Sequence, residues 1–408
     1  MDFRDSVEEA AFRKEVCDWL NANAEPKRPG QLSKFRHLTE AERFQASKEW
    51  QREKGVRGYA GITIPRQWGG MGGTPMQSVI YAQEESNFDV PAALYYMITM
   101  GMCIPTLIAY GRNNDVEKRV RPALLGGEIW CQLFSEPAAG SDLANVHTKA
   151  VRKSDGWLIN GQKVWTSGAQ YADFGLLVAR TDPTVPKHRG LTCFYIDMKT
   201  PGVEVRPIKQ INGEAEFNEV FFTDVFIPDE CRLGEVGAGW RVAITTLMHE
   251  RVAGSGATRH TDVADIINLA DSIQWQNGTA LDDPRLQERI ADWFVTREGL
   301  KYNTYRALTE LSKGEEPGPE FSIGKLVSAS QLQALSGLGL ELADRFGAVP
   351  SVYPDTLGRF AESWLWSAAA RIAGGTDEIL LNIIAERVLG MPAEIGTDKN
   401  VPFKASDA

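Results

Sequence analysis

The most informative pattern in the chain spans residues 130–167, WCQLFSEPAAGSDLANVHTKAVRKSDGWLINGQKVWTS. It opens with a short apolar strand, predicted over Trp130–Phe134, which ends before Pro137. The small residues of Ala138–Asp142 follow, and proline and glycine so close together enforce an irregular backbone. Because this loop has no bulky side chain, its backbone can lie against a flat or anionic ligand and offer its N–H groups.

The second half of the same stretch alternates apolar and polar residues on both sides of Asn160-Gly161. This dipeptide between two alternating apolar runs is the strongest short-range signal of a β-hairpin, so we predict a turn there. The hairpin would bring Trp165–Ser167, an aromatic ring beside two hydroxyls, to one end of a β-structure. A surface loop and a core tryptophan explain the same residues equally well from this pattern alone.

The composition is that of a globular protein with two or three packed domains: 408 residues, 43% apolar and 24% charged. A net charge of −10 without a basic cluster argues against a nucleic-acid partner, and no apolar run reaches the length of a membrane span. The 5 cysteines include no CxxC pair and predict reduced thiols, and the 5 histidines lack paired ligand spacing, so no metal is expected. Since no secretory signal opens the chain, we expect a cytoplasmic location.

The predicted secondary structure changes from helix to strand and back to helix along the chain. Residues 1–125 form an N-terminal α-helical domain, and residues 126–235 form a central domain that is a small β-barrel or sandwich. Residues 236–391 form a C-terminal α-helical bundle, and residues 392–408 are a polar tail. The expected fold class is therefore α+β.

Individual helices and strands are predicted from their hydrophobic periodicity and from the Gly, Pro and Asp residues that separate them. Thr39–Lys54 has a helical period and begins with a threonine N-cap, and Pro91–Tyr110 is apolar nearly all round, as in a buried helix. The strands predicted in the central domain are Phe174–Arg180, Leu191–Met198, Val203–Lys209 and Glu219–Ile227.

The helix predicted from Ala238 onward places two charges on or beside a face that should be buried. Glu250 shares one stripe with apolar residues, and Arg251 lies in the adjacent stripe. A buried charge is costly unless it has a partner or a chemical role. An ion pair between helices is the simpler interpretation, whereas the functional one is a general base whose pKa rises as an apolar ligand desolvates it.

Two glycine-rich segments are candidates for ligand contact. Gly374-Gly375-Thr376 precedes a last helix, predicted over Ile379–Leu389, where free N–H groups could approach a ligand; a plain helix start is the alternative. Gly237–Trp240 is similar to a dinucleotide-binding fingerprint, but Val242 occupies the position of its third glycine, so we reject that motif.

The order of these segments along the chain closely resembles that of the acyl-CoA dehydrogenase family. The segments that carry the resemblance are SEPAAGSD (135–142), NGQKVWTSG (160–168), EVFFTDVFIP (219–228), GEVGAGW (234–240), Glu250-Arg251, AGGTDEI (373–379) and NIIAERVLGMP (382–392). The resemblance implies a helical domain, a β-domain and a second helical domain that together hold FAD and an acyl-CoA thioester.

The resemblance also implies roles for individual residues. Phe134 and Ser135 would contact the flavin ring, Trp165 would cover it, and Ser167 would hydrogen-bond near its N5 atom. Ser141 would meet flavin phosphate or substrate. The remaining candidates are Thr166, Gly375 and Thr376 for the cofactor, and Glu250 and Gly374 for the substrate.

Members of this family differ in the position of the catalytic glutamate, and this difference indicates which residue is the base here. Many members carry the catalytic glutamate at the position that is Gly374 here, and glycine cannot act as a base. A subgroup with isovaleryl-type and long-chain enzymes has it directly before the arginine of the first C-terminal helix, which corresponds to Glu250. The resemblance therefore favours Glu250 as the base, with Arg251 orienting it or the loop that faces it.

The expected reaction is α,β-dehydrogenation of an acyl-CoA thioester, with electrons passed to an electron-transfer flavoprotein. Two alternatives use the same fold: a flavin oxidase or monooxygenase, such as an acyl-CoA oxidase or a nitroalkane-oxidase-like enzyme, and a companion subunit of a mixed oligomer. The family relationship implies a homotetramer, with a dimer or hetero-oligomer as alternatives.

Overall fold

The computed structural model describes residues 5–28, 33–91, 94–253, 261–275, 278–313, 318–349, 357–393 and 401–403. Its helices are α1 (Val7–Asn23), α2 (Glu40–Arg57), α3 (Pro75–Glu85), α4 (Leu94–Ile98), α5 (Ile104–Tyr110), α6 (Asn113–Leu124), α7 (Gly239–Ala253), α8 (Val263–Ser272), α9 (Pro284–Ser312), α10 (Phe321–Leu342), α11 (Leu357–Ile372) and α12 (Asp377–Ile383). Its strands are β1 (Glu25–Pro26), β2 (Phe88–Asp89), β3 (Trp130–Leu133), β4 (Lys149–Arg152), β5 (Gly156–Ser167), β6 (Phe174–Arg180), β7 (Leu191–Asp197), β8 (Val203–Pro207), β9 (Phe217–Pro228), β10 (Arg232–Leu233), β11 (Gln274–Trp275) and β12 (Gly278–Thr279).

The chain divides into two compact units, which we describe separately. The first consists of residues 1–36, 86–89 and 258–393, and we call it the helical unit. The second consists of residues 37–85, 90–257 and 394–408, and we call it the sheet unit. Helices and a sheet are both present, so the mixed architecture expected from the sequence is confirmed.

The helical unit is held together by apolar faces of its long helices. α10 packs on α8, α9 and α11, and residues such as Ile266, Leu335 and Phe360 form their shared core. α1 begins at a capping box in which Ser6 and Glu9 satisfy each other's backbone N–H groups. β1 and β2 pair antiparallel in this unit.

The sheet unit is built on an eight-stranded sheet in the order β10-β7-β6-β4-β5-β9-β8, with β3 also paired to β6. β3 and β4 both run parallel to β6 and lie end to end along the same edge of it. The chain between them, residues 134–148, must therefore leave the sheet and return to it. We call this segment the excursion; it contains the SEPAAGSD motif.

The strand predictions for the central region are confirmed to within a few residues. β6 has the predicted bounds, β7 and β8 end one and two residues earlier than predicted, and β9 extends beyond the predicted strand at both ends. Their inward residues, among them Leu177, Phe194 and Val220, form a continuous core on one side of the sheet.

The predicted hairpin at Asn160-Gly161 is wrong. β5 runs without interruption from Gly156 to Ser167, and the true turn lies earlier, where the Lys153 N–H bonds the Gly156 carbonyl at 2.9 Å. Gly161 instead marks an irregularity in the pairing of β5 with β9, and its φ is +153°. A Cβ at Gly161 would lie 2.6 Å from Thr148 Oγ1, so glycine is required there by close packing rather than by a turn.

The helices of the sheet unit agree with the sequence patterns. α2 begins after Thr39, whose side chain accepts from the Glu42 N–H, as the predicted N-cap requires. The apolar segment 94–110 is helical and largely buried, but Thr99–Cys103 widens into a π-helical turn between α4 and α5. Pro105 lacks an N–H and its ring would clash in a regular helix, and the wider turn precedes it directly.

Further properties of the described residues bear on function. All five cysteines are free. No helix among the described residues is both long enough and apolar enough to cross a membrane. Within the same residues, no group of three or more His, Cys, Asp or Glu side chains has an arrangement that could hold a metal ion.

Candidate functional site

A buried ion pair fixes the excursion to the sheet. The side chain of Lys163, on β5, is 0% exposed, and its ammonium donates to the Phe134 carbonyl at 2.9 Å and to Glu136 Oε1 at 2.7 Å. The Glu136 carboxylate also accepts the backbone N–H groups of His147 at 2.6 Å and Thr148 at 3.0 Å. One side-chain pair therefore ties the beginning of the excursion, its end and the neighbouring strand together.

The charges of this pair are set by opposing effects. Burial favours the neutral form of Glu136, but the charge of Lys163 and the hydrogen bonds to the carboxylate outweigh it and hold the pKa of Glu136 below its usual range. Burial lowers the pKa of Lys163, and the attraction of Glu136 opposes that shift. A buried charge left without its partner would be costly, so the two side chains depend on each other.

A second buried cation bonds the second half of the excursion. Arg180, at the end of β6, donates to the carbonyls of Ala144 at 2.6 Å, Val146 at 3.3 Å and Lys187 at 2.5 Å. Burial lowers the pKa of Arg180 to about 10. Lys187 in turn forms an ion pair with Asp142 of the excursion at 2.9 Å. The second half of the excursion is therefore irregular in conformation but bonded to two cationic side chains, Arg180 and Lys187.

Three of the candidate ligand contacts, Phe134, Ser135 and Ser141, lie in the excursion. Phe134 is buried and Ser135 is partly exposed, and the Ser135 carbonyl accepts the Val164 N–H at 2.9 Å. This bond places the start of the excursion beside the residue that precedes Trp165. Ser141 is exposed, and a Cβ added at the adjacent Gly140 would meet no atom within 4 Å. The surface at this part of the loop is therefore open.

Trp165 has an unusual backbone and an unusual exposure for its residue type. Its φ is +60°, in the left-handed region, and the pairing of β5 with β9 shifts register between Lys163 and Thr166. A bulky residue with positive φ is strained, and such strain is concentrated at functional positions. The side chain is 59% exposed, with one edge-to-face contact to Phe217 at 5.9 Å between ring centroids. The structure thus presents a large aromatic face at the end of β5.

Asn218 of β9 holds the backbone after this strained residue. Its Nδ2 donates to the Thr166 carbonyl at 3.0 Å and to Gln170 Oε1 at 2.5 Å, and Asn218 is fully buried. Thr166 is 1% exposed, and its Oγ1 has no hydrogen-bond partner among the described residues. Ser167, the last residue of β5, is partly exposed. The exposed aromatic ring of Trp165 and the partly exposed Ser167, two residues later, fit a site for a flat polar ligand.

The helix that carries the predicted base is fixed by hydroxyl pairs. Thr246 Oγ1 of α7 lies 2.9 Å from Thr106 Oγ1 of α5, and the Thr245 and Tyr110 hydroxyls are also 2.9 Å apart. Thr246 precedes Glu250 by one helical turn. The backbone of α7 extends to Ala253, but the side chains of Glu250 and Arg251 lie outside the described residues.

The turn before the last helix belongs to the helical unit. Gly374 and Gly375 have φ values of +66° and +98°, which glycine adopts without strain. Thr376 is an N-cap whose hydroxyl accepts the Ile379 N–H at 3.3 Å, so the helix begins at Asp377, two residues before the predicted start. The Lys325 ammonium donates to the Gly375 carbonyl at 2.5 Å.

Sequence reasoning proposed candidate ligand contacts but missed the buried residues that hold the backbone around them: Glu136, Lys163, Arg180 and Asn218. One of these had a recognisable signal, because Lys163 falls on the same side of the β5 alternation as the buried residues Trp157 and Ile159. A charge at an inward position of a strand predicts a buried partner. Asn218 gave no comparable signal.

Comparison with known proteins gives a consistent assignment. Three family models match in succession: the N-terminal domain of acyl-CoA dehydrogenase over residues 6–128, its middle domain over 131–225 and its C-terminal domain over 237–389. The chain belongs to the acyl-CoA dehydrogenase family. It is therefore an oxidoreductase of the type that acts on CH–CH bonds, and its fold is that of this flavoprotein family.

Individual acyl-CoA dehydrogenases and one solved complex show the extent of the similarity. IpdE1 of Mycobacterium tuberculosis is 35% identical over 392 residues, which cover 94% of this chain and 98% of that protein. FadE34 of the same organism is 38% identical over 324 residues, but this match covers 79% of the chain and only 43% of that longer protein. A chain of the ChsE4–ChsE5 complex of Mycobacterium tuberculosis is 26% identical, with a TM-score of 0.76 over 97% of this chain and 100% of that one.

Proposed function

We propose that this protein is an FAD-dependent dehydrogenase that oxidises an acyl-CoA thioester between its α and β carbons to the trans-2-enoyl-CoA. The observation that carries the proposal is the end of β5, where a strained, exposed Trp165 is followed two residues later by the partly exposed Ser167. Membership of the acyl-CoA dehydrogenase family supports the reaction type, and supports a division into domains near residues 125 and 235.

The flavin would be held by residues of two kinds. Trp165 offers its ring for stacking, and the partly exposed hydroxyls of Ser135 and Ser167 offer hydrogen bonds at the same end of β5, next to Phe134 and Thr166. Ser141 would meet a phosphate or the thioester substrate, and the family resemblance adds Gly375 and Thr376 as candidate cofactor contacts. When bound, a flavin supplies an acceptor for the hydride that leaves the β-carbon.

The chain itself must remove the α-proton. We assign this role to Glu250, because Gly374 has no side chain with which to act as a base. The substrate would desolvate the carboxylate and raise its pKa toward the working pH, which strengthens it as a base. Arg251 would orient Glu250 or the facing loop, and Thr246 would fix α7 one turn earlier through its bond to Thr106.

The assignment is tested by Glu250→Gln, which keeps the side-chain shape but cannot accept the proton. We expect turnover to be abolished while flavin remains bound, as judged from the visible absorbance of the purified variant. Glu117→Gln, at an exposed position of α6, is the matched control and should retain wild-type turnover. Retained turnover in Glu250→Gln would contradict the assignment.

The electron acceptor is proposed to be an electron-transfer flavoprotein, with the enzyme acting as a homotetramer in the cytoplasm. An oxidase would instead consume oxygen at the rate of substrate oxidation without any external acceptor. Oxygen-electrode and acceptor-dye assays in parallel separate these two chemistries, and we expect turnover to depend on the added acceptor.

A second candidate is a companion subunit in a mixed oligomer. The similarity to a chain of the ChsE4–ChsE5 complex favours considering it. A companion subunit purified alone would lack flavin, turnover or both, and it would gain whatever is missing when its partner subunit is added. A homotetramer that is yellow and active alone would exclude this candidate, and light scattering coupled to size exclusion measures the assembly.

A further inference from the structure

Residues 401–403 pack within the sheet unit. Residues 401–403 lie within the predicted polar tail, yet Pro402 forms an isolated β-bridge with Pro186, and the Phe403 N–H donates to the Val185 carbonyl at 2.8 Å. Phe403 is only 7% exposed. A buried aromatic residue at the end of a polar segment indicates a specific docking contact.

The ring of Phe403 covers the group that holds the excursion. The Arg180 guanidinium carbon lies 3.8 Å from the centroid of the Phe403 ring, a cation–π contact. The same ring meets the His147 imidazole edge to face, with 5.1 Å between centroids. Arg180 in turn donates to the Ala144 and Val146 carbonyls. Phe403 therefore contacts the excursion directly through His147 and indirectly through Arg180.

We propose that Phe403 is a positioning residue for the candidate active site. Its ring covers Arg180 and His147 and thereby keeps the excursion, which contains the candidate ligand-binding loop, in an ordered conformation. The ring excludes water from the guanidinium, and hydrogen bonds in such a low-dielectric environment are stronger than in water. Without the ring, water competes for the Arg180 donors, and the Ala144 and Val146 carbonyls lose their fixed partner. The consequence for ligand binding rests on the proposed function, whereas the consequence for loop order does not.

The order of the excursion is measured by amide hydrogen exchange in the full-length protein. In Phe403→Ala we expect peptides covering residues 143–148 to exchange about tenfold faster, the size expected when a desolvated cation–π contact and its packing are lost. Val401→Ala is the matched control, because Val401 is half exposed, and it should leave these peptides unchanged. Unchanged exchange at 143–148 in Phe403→Ala would overturn the proposal.

Two further measurements separate loss of the Phe403 contact from loss of the fold. If Phe403→Ala does not fold, Phe403→Leu keeps an apolar cover but removes the cation–π contact, and a smaller increase in exchange is expected. In the wild-type protein, the Phe403, His147 and Thr148 amides should exchange at similar rates, since one opening exposes all three. A Phe403 amide that exchanges many-fold faster than the other two would show that the segment detaches without affecting the excursion, which contradicts the proposal.

The link to ligand binding has its own readout. Flavin released from Phe403→Ala on dilution, followed by the rise in free-flavin fluorescence, should indicate severalfold weaker binding than in Val401→Ala. Faster loop exchange with unchanged flavin affinity would overturn the functional half of the proposal. A wild-type protein that binds no flavin would count against the proposed function, while the hydrogen-exchange experiment would still decide whether Phe403 orders the excursion.

Discussion

The excursion and the end of β5 form one candidate site, but they are stabilised in different ways. Charged side chains bond the backbone of the excursion: Lys163 and Glu136 at its two ends and Arg180 along its second half. The end of β5 has a strained, exposed Trp165 and only a neutral amide, Asn218, to hold the residue after it. The irregular segment is therefore the part that charged side chains bond, and the regular strand ends in the strained part.

This difference follows from what each region must offer. A loop of small residues has few side chains to pack, so its conformation has to come from hydrogen bonds to its backbone, and buried charges make the strongest ones. An aromatic ring that contacts a ligand must stay accessible, so it cannot be fixed by burial, and the backbone is fixed instead.

The largest effect is expected from Lys163→Met. Removing the ammonium leaves the Glu136 carboxylate buried without its cation, which should lower the free energy of unfolding by about 3–5 kcal/mol. Urea denaturation followed by tryptophan fluorescence measures the loss. The double variant Lys163→Met/Glu136→Gln should recover part of it, and a double variant as unstable as the single one would contradict the pairing.

Glu136→Gln has a smaller effect that depends on pH. Because the folded-state pKa of Glu136 lies below the value in the unfolded chain, the ionised carboxylate stabilises the fold above about pH 4.3, and this contribution is lost as pH falls through the folded-state pKa. The wild type should exceed the variant by about 2–3 kcal/mol at pH 7, and the difference should shrink toward zero in acid. A difference independent of pH would mean that the charge is unimportant.

Asn218→Leu tests the neutral anchor. It removes the donor to the Thr166 carbonyl, leaves that acceptor buried, and should cost about 1–2 kcal/mol. Asn114→Ala, at an exposed position of α6, serves as the control and should cost little. If the cost of Asn218→Leu equalled that of Lys163→Met, the distinction between charged and neutral anchors would be lost.

Trp165→Gly should have the smallest effect on stability and a clear effect on ligand binding. Glycine adopts a φ of +60° without strain, so the free energy of unfolding should change by less than about 1 kcal/mol. The aromatic face is lost, so flavin should bind more weakly and its visible spectrum should shift, whereas Trp165→Phe should restore both in part. Strong destabilisation by Trp165→Gly would show that the ring is a core residue.

The sequence predicted the strands of the central region because their apolar alternation is set by burial on one side of a sheet. It failed at Asn160-Gly161, where the same dipeptide that favours a turn serves close packing against Thr148. The positive φ of Trp165 and the docking of Phe403 could not be predicted, since both depend on partners far along the chain, β9 and Arg180. The candidate ligand contacts were predicted from the order of the motifs along the chain. The buried residues that hold the backbone around them could be identified only from the structure.

The most direct test of the proposed dehydrogenation is anaerobic mixing of the purified protein with a panel of straight, branched and ring-bearing acyl-CoA thioesters, monitored by the visible absorbance of the flavin. We expect a yellow protein whose absorbance is bleached rapidly by at least one thioester and is unaffected by free CoA. In Glu250→Gln the colour should persist with every member of the panel. A colourless protein, or a yellow one that no thioester bleaches, would contradict the proposed dehydrogenation.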